Sequence, residues 1–372
     1  MPLATGIMAD TIGADRSVLR EETTVSGRSM SMRGQPSMSD VARHAGVALG
    51  TVSNTLNSPE KVSEPTRRKV HAAIAELGFV RNDAARSLAA GSSTSVGLVL
   101  ADLGNSFFVD IARGVETVMR RRAMDVLIVN SDVEPAREVH NLELLERSRV
   151  AGIIIAPLDT AFAKSLVLPT RSTPTVMVNY QSPTLAHSGV IVDEQHGGAL
   201  ATSHLLSLGR RRILFVGGPL LLGAVAGRWE GAQQAVARVP DATLDLEETR
   251  GVNIRHGREV AARILDAGPG RYDAIVAASD LVAIGIVQVL NEHPGFAVPL
   301  DIAVTGYDNN HFASESAIPI STVAQPGEEM GAMAADLLLE QIAQPEIPHR
   351  TVTLEPRLIP RASTLGEVWR RD

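Results

Sequence analysis

Four small polar side chains, Thr51, Ser53, Asn54 and Asn57, fall within a stretch that also places Val52 and Leu56 four residues apart. On a helix that spacing puts the two aliphatic groups on one stripe and turns hydroxyl and amide groups outward. Groups of this kind bond phosphate oxygens or the edges of bases. Asparagine matches the donor and acceptor pair of adenine, and an aliphatic chain such as Leu49 can meet a thymine methyl. A second stretch able to do chemistry is Asn105-Ser106-Phe107-Phe108, which follows an apolar run at its carboxyl end, where open α/β sheets place ligands. A cleft that covers a sugar-like ring needs flat apolar surface and a few charged groups. Two adjacent phenylalanines, in a chain with only seven, offer such surface, although a core role for one of them fits equally well.

Other chemistries find no support. The ten histidines show no metal-ligand spacing, and the absence of cysteine excludes disulfides, thiolate metal sites and cysteine nucleophiles. Gly217-Gly218-Pro219 follows a strand, but G-x-G-x-x-G, G-x-x-x-x-G-K-[ST] and G-x-S-x-G are all missing, so no enzymatic activity and no cofactor are expected.

The polar side chains at 51–57 need a helix to hold them, and the sequence supplies two. Ser37 and Asp40 have the spacing of a capping box, Met38, Val41, Ala42 and Ala45 form an apolar face, and Gly46 stands where a left-handed glycine ends a helix. A second helix then runs from about Leu49 to Asn57, burying Val52 and Leu56. Ser63 is a third N-cap, with Glu64 and Pro65 in the first turn. Val70, Ile74 and Leu77 repeat on one face before Gly78. From the helix pair alone, a hairpin with solvated polar faces is as good a reading as a DNA-binding one.

The order D-V-A-x-x-A-G-V-x-x-x-T-V-S-x-x-L-N, from Asp40 to Asn57, resembles the LacI (lactose-repressor) family of bacterial transcription regulators. The likeness continues through Val62-Ser63, TRRKVHAAIAELGF and RNDAARSLA. It implies that Leu49, Gly50 and Asn54 face bases, that Thr51 and Ser53 lie beside them, and that Ser37, Ser39, Asn57, Ser63, Asn82 and Ala85 complete the DNA-contacting set. The commoner pattern has arginine at the position of Asn54 and serine at that of Ala48; both are changed here, and Gly50 offers no side chain, so direct readout is thin. DAARSLAA, which Asn82 can cap, is too short to hold alone, since isolated helices under about 12–15 residues are marginal in water. In the family the matching hinge helices pair across a dimer and press a leucine, here Leu88, into the minor groove. Specificity then leans on how easily the DNA kinks.

The 372 residues, 44% hydrophobic, suffice for two or three domains, and no apolar run reaches the length of a membrane span. MPLATGIMADTIGAD lacks a basic start followed by an apolar core, which points to the cytoplasm. Net charge is −7, yet Ser37 to Gly91 carries seven basic against five acidic residues, so a head of +2 precedes a remainder of −9. That split suits a chain that touches phosphate with one end.

From Val96 apolar runs alternate with helical patterns. VGLVLA, VLIVN and GIIIA form one series; ILFVG, AIVAAS and IAVTGY form another, as parallel sheets covered on both faces require. The closing stretch, a helix bearing Met330, Ala334, Leu337 and Leu338 followed by TVTLEPRLI, crosses back between lobes. The expected organisation is therefore a disordered extension (1–36), a three-helix helix-turn-helix head (37–81), a hinge helix and linker (82–95), a two-lobed α/β body (96–365) like the periplasmic binding proteins of type I, and a tail (366–372).

The same resemblance assigns the effector site. Arg228, in R-W-E-G, matches the arginine that grips the ligand, and Asp308, after Gly306-Tyr307, matches the carboxylate that accepts its hydroxyls. Phe107 and Phe108 resemble the ring-stacking pair. Asp102, His196, Ser279, Asp280 and Gln325 are further candidates from loops facing the cleft; Ser279 stands where asparagine is common, and Arg210 where histidine usually follows Leu-Gly. The implied protein is a repressor that binds an inverted-repeat operator in double-stranded DNA as a homodimer, controlled by a small molecule, a sugar first and a purine second, with no membrane partner. The rivals are a cytoplasmic solute-binding protein and an architectural DNA binder without an effector.

Overall fold

The computed structural model describes residues 36–80, 93–157, 173–180, 186–268 and 270–366. Nearly all of the expected extension, the hinge segment with Asn82, Ala85 and Leu88, and the tail beyond Gly366 lie outside these residues. The chain divides into two compact units, 1–82 and 83–372.

The first unit holds α1 (Met38–Ala45), α2 (Leu49–Asn57) and α3 (Glu64–Leu77). The capping box forms: Ser37 Oγ accepts the Asp40 N–H at 3.3 Å and Asp40 Oδ2 accepts the Ser37 N–H at 2.9 Å. Gly46, at φ 66°, ends α1 in the left-handed region. Val41, Ala42, Val52, Val70 and Ala73 make the buried core, with Met38, Leu56, Ile74, Leu77 and Phe79 packed at its edge. Two expectations are corrected. Thr55, not Leu56, is the second buried residue of α2, because its hydroxyl donates to the Thr51 carbonyl at 2.8 Å and so needs no water. Ser63 precedes α3 without capping it: its hydroxyl bonds Thr66 Oγ1 at 2.9 Å, a local competitor for the backbone N–H.

A core of five small side chains leaves this unit dependent on its caps. Ser37→Ala is expected to cost about 1 kcal/mol, and so to speed amide exchange in α1 about fivefold within the full chain. Hydrogen exchange followed over peptides covering residues 37–57 reads this; unaltered protection would contradict it.

The second unit contains two six-stranded sheets built to one plan. β1 (Ser95–Leu100), β2 (Asp125–Asn130), β3 (Ile153–Ile155), β4 (Thr175–Val178), β5 (Ser188–Val192) and β11 (Thr351–Leu354) form the first, in the order β11-β5-β4-β3-β1-β2, all parallel. β6 (Arg212–Gly217), β7 (Thr243–Glu248), β8 (Ala274–Ala277), β9 (Ala303–Asp308), β10 (Ser321–Ala324) and β12 (Arg357–Ile359) form the second, in the order β12-β10-β9-β8-β6-β7, where only β12 is antiparallel to its neighbour. Successive residues of β6 serve opposite cores: Leu214 and Val216 join Ile275 and Ile286, while Ile213 and Phe215 join Val276 and Leu205. That is why the strand reads as an unbroken apolar run.

β2 departs from that rule. Although VLIVN looks like a covered strand, it is the edge of its sheet, and Leu127 and Ile128 are 41% and 47% exposed.

Helices alternate with the strands: α4 (Ser106–Arg121), α5 (Pro135–Arg147), α6 (Glu194–Ser207), α7 (Gly223–Val236), α8 (Ile254–Ala267), α9 (Asp280–Glu292), α10 (His311–Glu315), α11 (Gly327–Ala343) and α12 (Ala362–Leu365). The chain passes between sheets three times: after β5, after β10 and between β11 and β12. The closing helix α11 packs on α4, and Met330, Ala334, Leu337 and Leu338 join the core of the first sheet, so the stretch crosses back as the sequence implies.

Candidate functional site

On α2 the side chains of Leu49, Asn54 and Asn57 are exposed, with Gly50 among them, and Thr51 and Ser53 are half-buried beside them. Asn57 Nδ2 donates to Ser53 Oγ at 3.2 Å, so these two groups present a tied pair. Ser37, Ser39 and Ser63 are exposed, but the Ser37 hydroxyl is already committed to Asp40 Oδ2 at 2.6 Å. Position 54 therefore has what a base-reading residue requires: a planar amide on an outward helix face whose inward face is fixed by Val52.

In the second unit a cleft of about 550 Å³ opens between the lobes at the carboxyl ends of both sheets. The first lobe lends Asp102, Asn105, Phe107, Phe108 and Tyr180, the second Glu194, Arg228, Ser279 and Asp308, and the crossings Asp193 and Gln325. A second cavity of about 580 Å³, around Arg212, Asp273 and Asp301, lies at the amino ends of β6, β8 and β9, the wrong end of a parallel sheet for a ligand.

Arg228 is the centre of the cleft. Its Nε and Nη2 donate to the two oxygens of Glu194 at 2.8 and 3.1 Å, Nη1 donates to the Ala278 carbonyl at 2.6 Å, and Asp308 Oδ1 lies 3.7 Å from Nη1. The guanidinium stacks on the Tyr307 ring, 3.7 Å from its centroid. Burial pulls the pKa of Arg228 down, but the charges of Glu194 and Asp308 outweigh it and leave the group above its ordinary value. This contact exists because α6 and α7 cross at glycines. A methyl group at Gly198 would collide with the Arg228 carbonyl, and one at Gly231 with the Gln195 carbonyl. The two backbones can thus approach until a glutamate on one reaches an arginine on the other.

Asp308 ends β9 with φ at 104°, followed by Asn309 at 56°, left-handed values that Asp and Asn tolerate better than most residues. It accepts from Asn105 Nδ2 at 2.8 Å and Gln325 Nε2 at 2.7 Å. Burial pushes its carboxyl up, against the pull of Arg228 and of these two amides. Asn105 also caps α4 and accepts from Asn310 Nδ2 at 3.0 Å, so one side chain of the first lobe holds two residues of the second. Gln325 Oε1 is buried without a hydrogen-bond partner among the described residues.

The remaining sequence candidates are placed as follows. Phe107 and Phe108 both line the cleft, rings 5.2 Å apart, and Phe107 also belongs to the first lobe's core. Asp102 lines it too, accepting from the Gly104 N–H at 2.7 Å. Ser279 lines it as the cap of α9, its hydroxyl spent on the Val252 carbonyl and the Val282 N–H. His196 and Asp280 do not line it. His196 is exposed on α6; two helical residues rotate a side chain by about 200°, so when Glu194 faces the cleft His196 faces away. Glu194 was missed by the sequence reading, although Asp193-Glu194, directly after the strand SGVIV, stands at a carboxyl end.

Asp280 is fully buried behind the cleft, accepting the Asn310 N–H at 2.6 Å, and burial, then the Asp308 charge, push its carboxyl well above the ordinary value of 3.8. A carboxyl that holds its proton more tightly folded than unfolded adds stability at low pH and loses it as pH rises from the unfolded value toward the raised one. Asp280→Asn removes that dependence. Its unfolding free energy in guanidinium should fall less than that of the wild type as pH rises above the ordinary carboxylate value, and parallel profiles would contradict the assignment.

No group of three or more His, Cys, Asp or Glu among the described residues could hold a metal ion. A helical unit with an outward polar face, and in the same chain a two-lobed body with a polar cleft at its strand ends, fit a DNA-binding regulator that carries a small-molecule receptor. Residues 37–82 match the family described as bacterial regulatory proteins, lacI family, and residues 202–364 match a periplasmic binding protein-like domain. The ribose operon repressor of Escherichia coli (strain K12) is 34% identical over 328 residues, covering 88% of this chain and 99% of that one. The chain belongs to the LacI family of bacterial transcription regulators, as the motif from Asp40 to Asn57 implies. Among solved structures, the lac repressor dimer bound to operator and the anti-inducer ONPF is similar at TM-score 0.75 and 26% identity, covering 89% of this chain and 99% of that one. A LacI family regulator from Enterococcus faecium with bound ribose is similar at TM-score 0.64 and 29% identity, covering 73% and 98%.

Proposed function

We infer that this regulator is a cytoplasmic repressor without catalytic activity, that residues 37–81 read an inverted-repeat operator through Leu49, Asn54 and their neighbours, and that a sugar bound in the interlobe cleft of 96–365 controls the grip through the hinge of 82–95. The observation that carries the reading is the cleft itself: two phenyl rings on one wall, a guanidinium and a carboxylate 3.7 Å apart on the other, at the strand ends of both sheets. Two relatives support the ligand class, one named for ribose and one holding it. No helix among the described residues is long and apolar enough to cross a membrane.

Self-pairing is supported by the edge of the first sheet. Leu127 and Ile128 on the edge strand β2, and Val139 and Leu144 on α5, are all about two-fifths exposed or more, apolar surface that a second copy would cover. A two-fold pair reads a two-fold operator.

A thermal-shift screen of sugars, polyols and purines on the full chain, followed by fluorescence anisotropy on upstream inverted-repeat DNA at fixed salt, tests the reading. A sugar should raise the melting temperature and change operator affinity. A chain blind to every ligand that still binds DNA would instead be architectural, and one that binds a sugar but no duplex would be a solute-binding protein.

A further inference from the structure

We propose that Glu194 sets the charge class of the effector: by occupying the fork of Arg228, it makes the cleft select an uncharged polyhydroxylated ligand and reject sugar phosphates, sugar acids and nucleotides. The proposal rests on the assignment of the interlobe cleft as the effector site and adds to it which ligands are admitted.

A guanidinium presents five N–H donors and captures a carboxylate or phosphate with two of them held parallel. In Arg228 the parallel pair on Nε and Nη2 is taken by Glu194, and one Nη1 hydrogen by the Ala278 carbonyl. One hydrogen remains on each terminal nitrogen, but Asp308 Oδ1 already lies 3.7 Å from Nη1, and one face of the guanidinium is covered by Tyr307. A hydroxyl oxygen can use what is left without bringing charge; an anion taking the same donors would be set against the Asp308 carboxylate.

Charge acts in the same direction. Among the described residues lining the cleft, Arg228 is the one Lys or Arg, against the carboxyls of Asp102, Asp193, Glu194 and Asp308. Glu194 and Asp308 are close to fully buried, with side chains 13% and 4% exposed, so water screens them poorly. An arriving anion meets carboxylates whose counter-charge is already satisfied.

The unfilled bonding capacity of the site is of the complementary kind. Gln325 donates its amide N–H to Asp308, leaving the buried Oε1 as an acceptor without a partner, and each carboxylate oxygen of Asp308 accepts one bond and has room for another. These vacant positions call for donors. Hydroxyl groups provide donors without charge, whereas phosphates and carboxylates bring only acceptors. An ammonium would bring donors too, but it would sit against the guanidinium at the centre of the cluster. The phenyl rings of Phe107 and Phe108 add surface suited to the apolar face of a sugar ring.

Isothermal titration of the full-length protein with matched pairs tests this: ribose and ribose 5-phosphate, glucose and glucuronate, adenosine and adenosine 5′-monophosphate. In whichever pair binds, the neutral member should bind on the order of 100-fold more tightly, as like charges placed together in a desolvated site require. Glu194→Gln keeps the size and removes the charge; whatever its effect on the neutral ligand alone, it should narrow that gap, read as the ratio within each pair, to about tenfold or less. Glu194→Asp, which keeps the charge, should keep the discrimination, and this separates a charge effect from loss of packing. An anion that binds the wild type as well as its neutral counterpart, or a gap unchanged in Glu194→Gln, overturns the role of Glu194 and leaves the effector reading standing. Silence from all six ligands removes the effector reading and this inference together.

Discussion

Replacing Arg228 by alanine should destabilise the protein by about 3–5 kcal/mol and abolish the response to effector, because it strips the counter-charge from two carboxylates that have almost no access to water. Glu194 would lose both of its bonds to the guanidinium, the Ala278 carbonyl its donor, and Tyr307 the group stacked on its ring. The loss should depend on pH in a definite direction. Without the cation that pulls it down, the Asp308 carboxyl holds its proton more tightly in the folded state, so the deficit is greatest near neutrality and shrinks as acid protonates that group. Trp229, next in the chain and 5.3 Å from the Phe215 ring, provides a fluorescence probe for urea unfolding. Arg228→Lys should fall between the two, restoring a charge but not the fork. An Arg228→Ala protein as stable as the wild type would contradict the role of Arg228 as counter-charge in the cleft.

The second large effect concerns DNA. Asn54→Ala should weaken binding to a specific operator by about 1–3 kcal/mol, the usual worth of one bidentate contact to a base. Folding should be untouched, because the side chain is exposed and the α2 core rests on Val52 and Thr55. Affinity for a scrambled duplex and the slope of log affinity against log salt should both stay the same, since no phosphate contact has been removed. A substitution that removes a phosphate contact instead would do the reverse, weakening all sequences alike and lowering the slope. Anisotropy at two salt concentrations separates the cases. Equal losses on operator and scrambled DNA would remove Asn54 from the reading face.

What could be read from sequence divides by the range of the interactions. The capping box at Ser37 and Asp40, the terminal glycines and the helix faces depend on neighbours within four residues, and they were legible. The two errors in the head are of the same local kind: Thr66 diverts the Ser63 hydroxyl, and one residue, about 100° of helix, separates Thr55 from Leu56. The apolar strands were legible as strands, but the exposure of β2 was not, because an edge strand and a central one carry the same residues and only sheet order distinguishes them. Arg228 and Asp308 were found through family likeness rather than spacing. Glu194 was not, since it lies 34 positions from its arginine and meets it only where two helices cross at glycines. Asn105 was seen as part of a strand-end motif, yet its partners Asp308 and Asn310 lie more than 200 positions away, beyond any local rule.

The three passages of the chain between sheets also fix the order in which the molecule can be finished during synthesis. The first lobe takes its border strand, β11, and the helix that covers α4 from residues 327–354, after the second lobe from β6 to β10 has been translated. With ribosomes adding about 5–20 residues per second, the amino-terminal sheet waits several seconds or more with one flank bare, the interval in which such a chain has most need of a chaperone. A transcript broken anywhere before codon 327 therefore yields no half-receptor, and a shortened product should be cleared by proteolysis rather than accumulate as a rival for the operator.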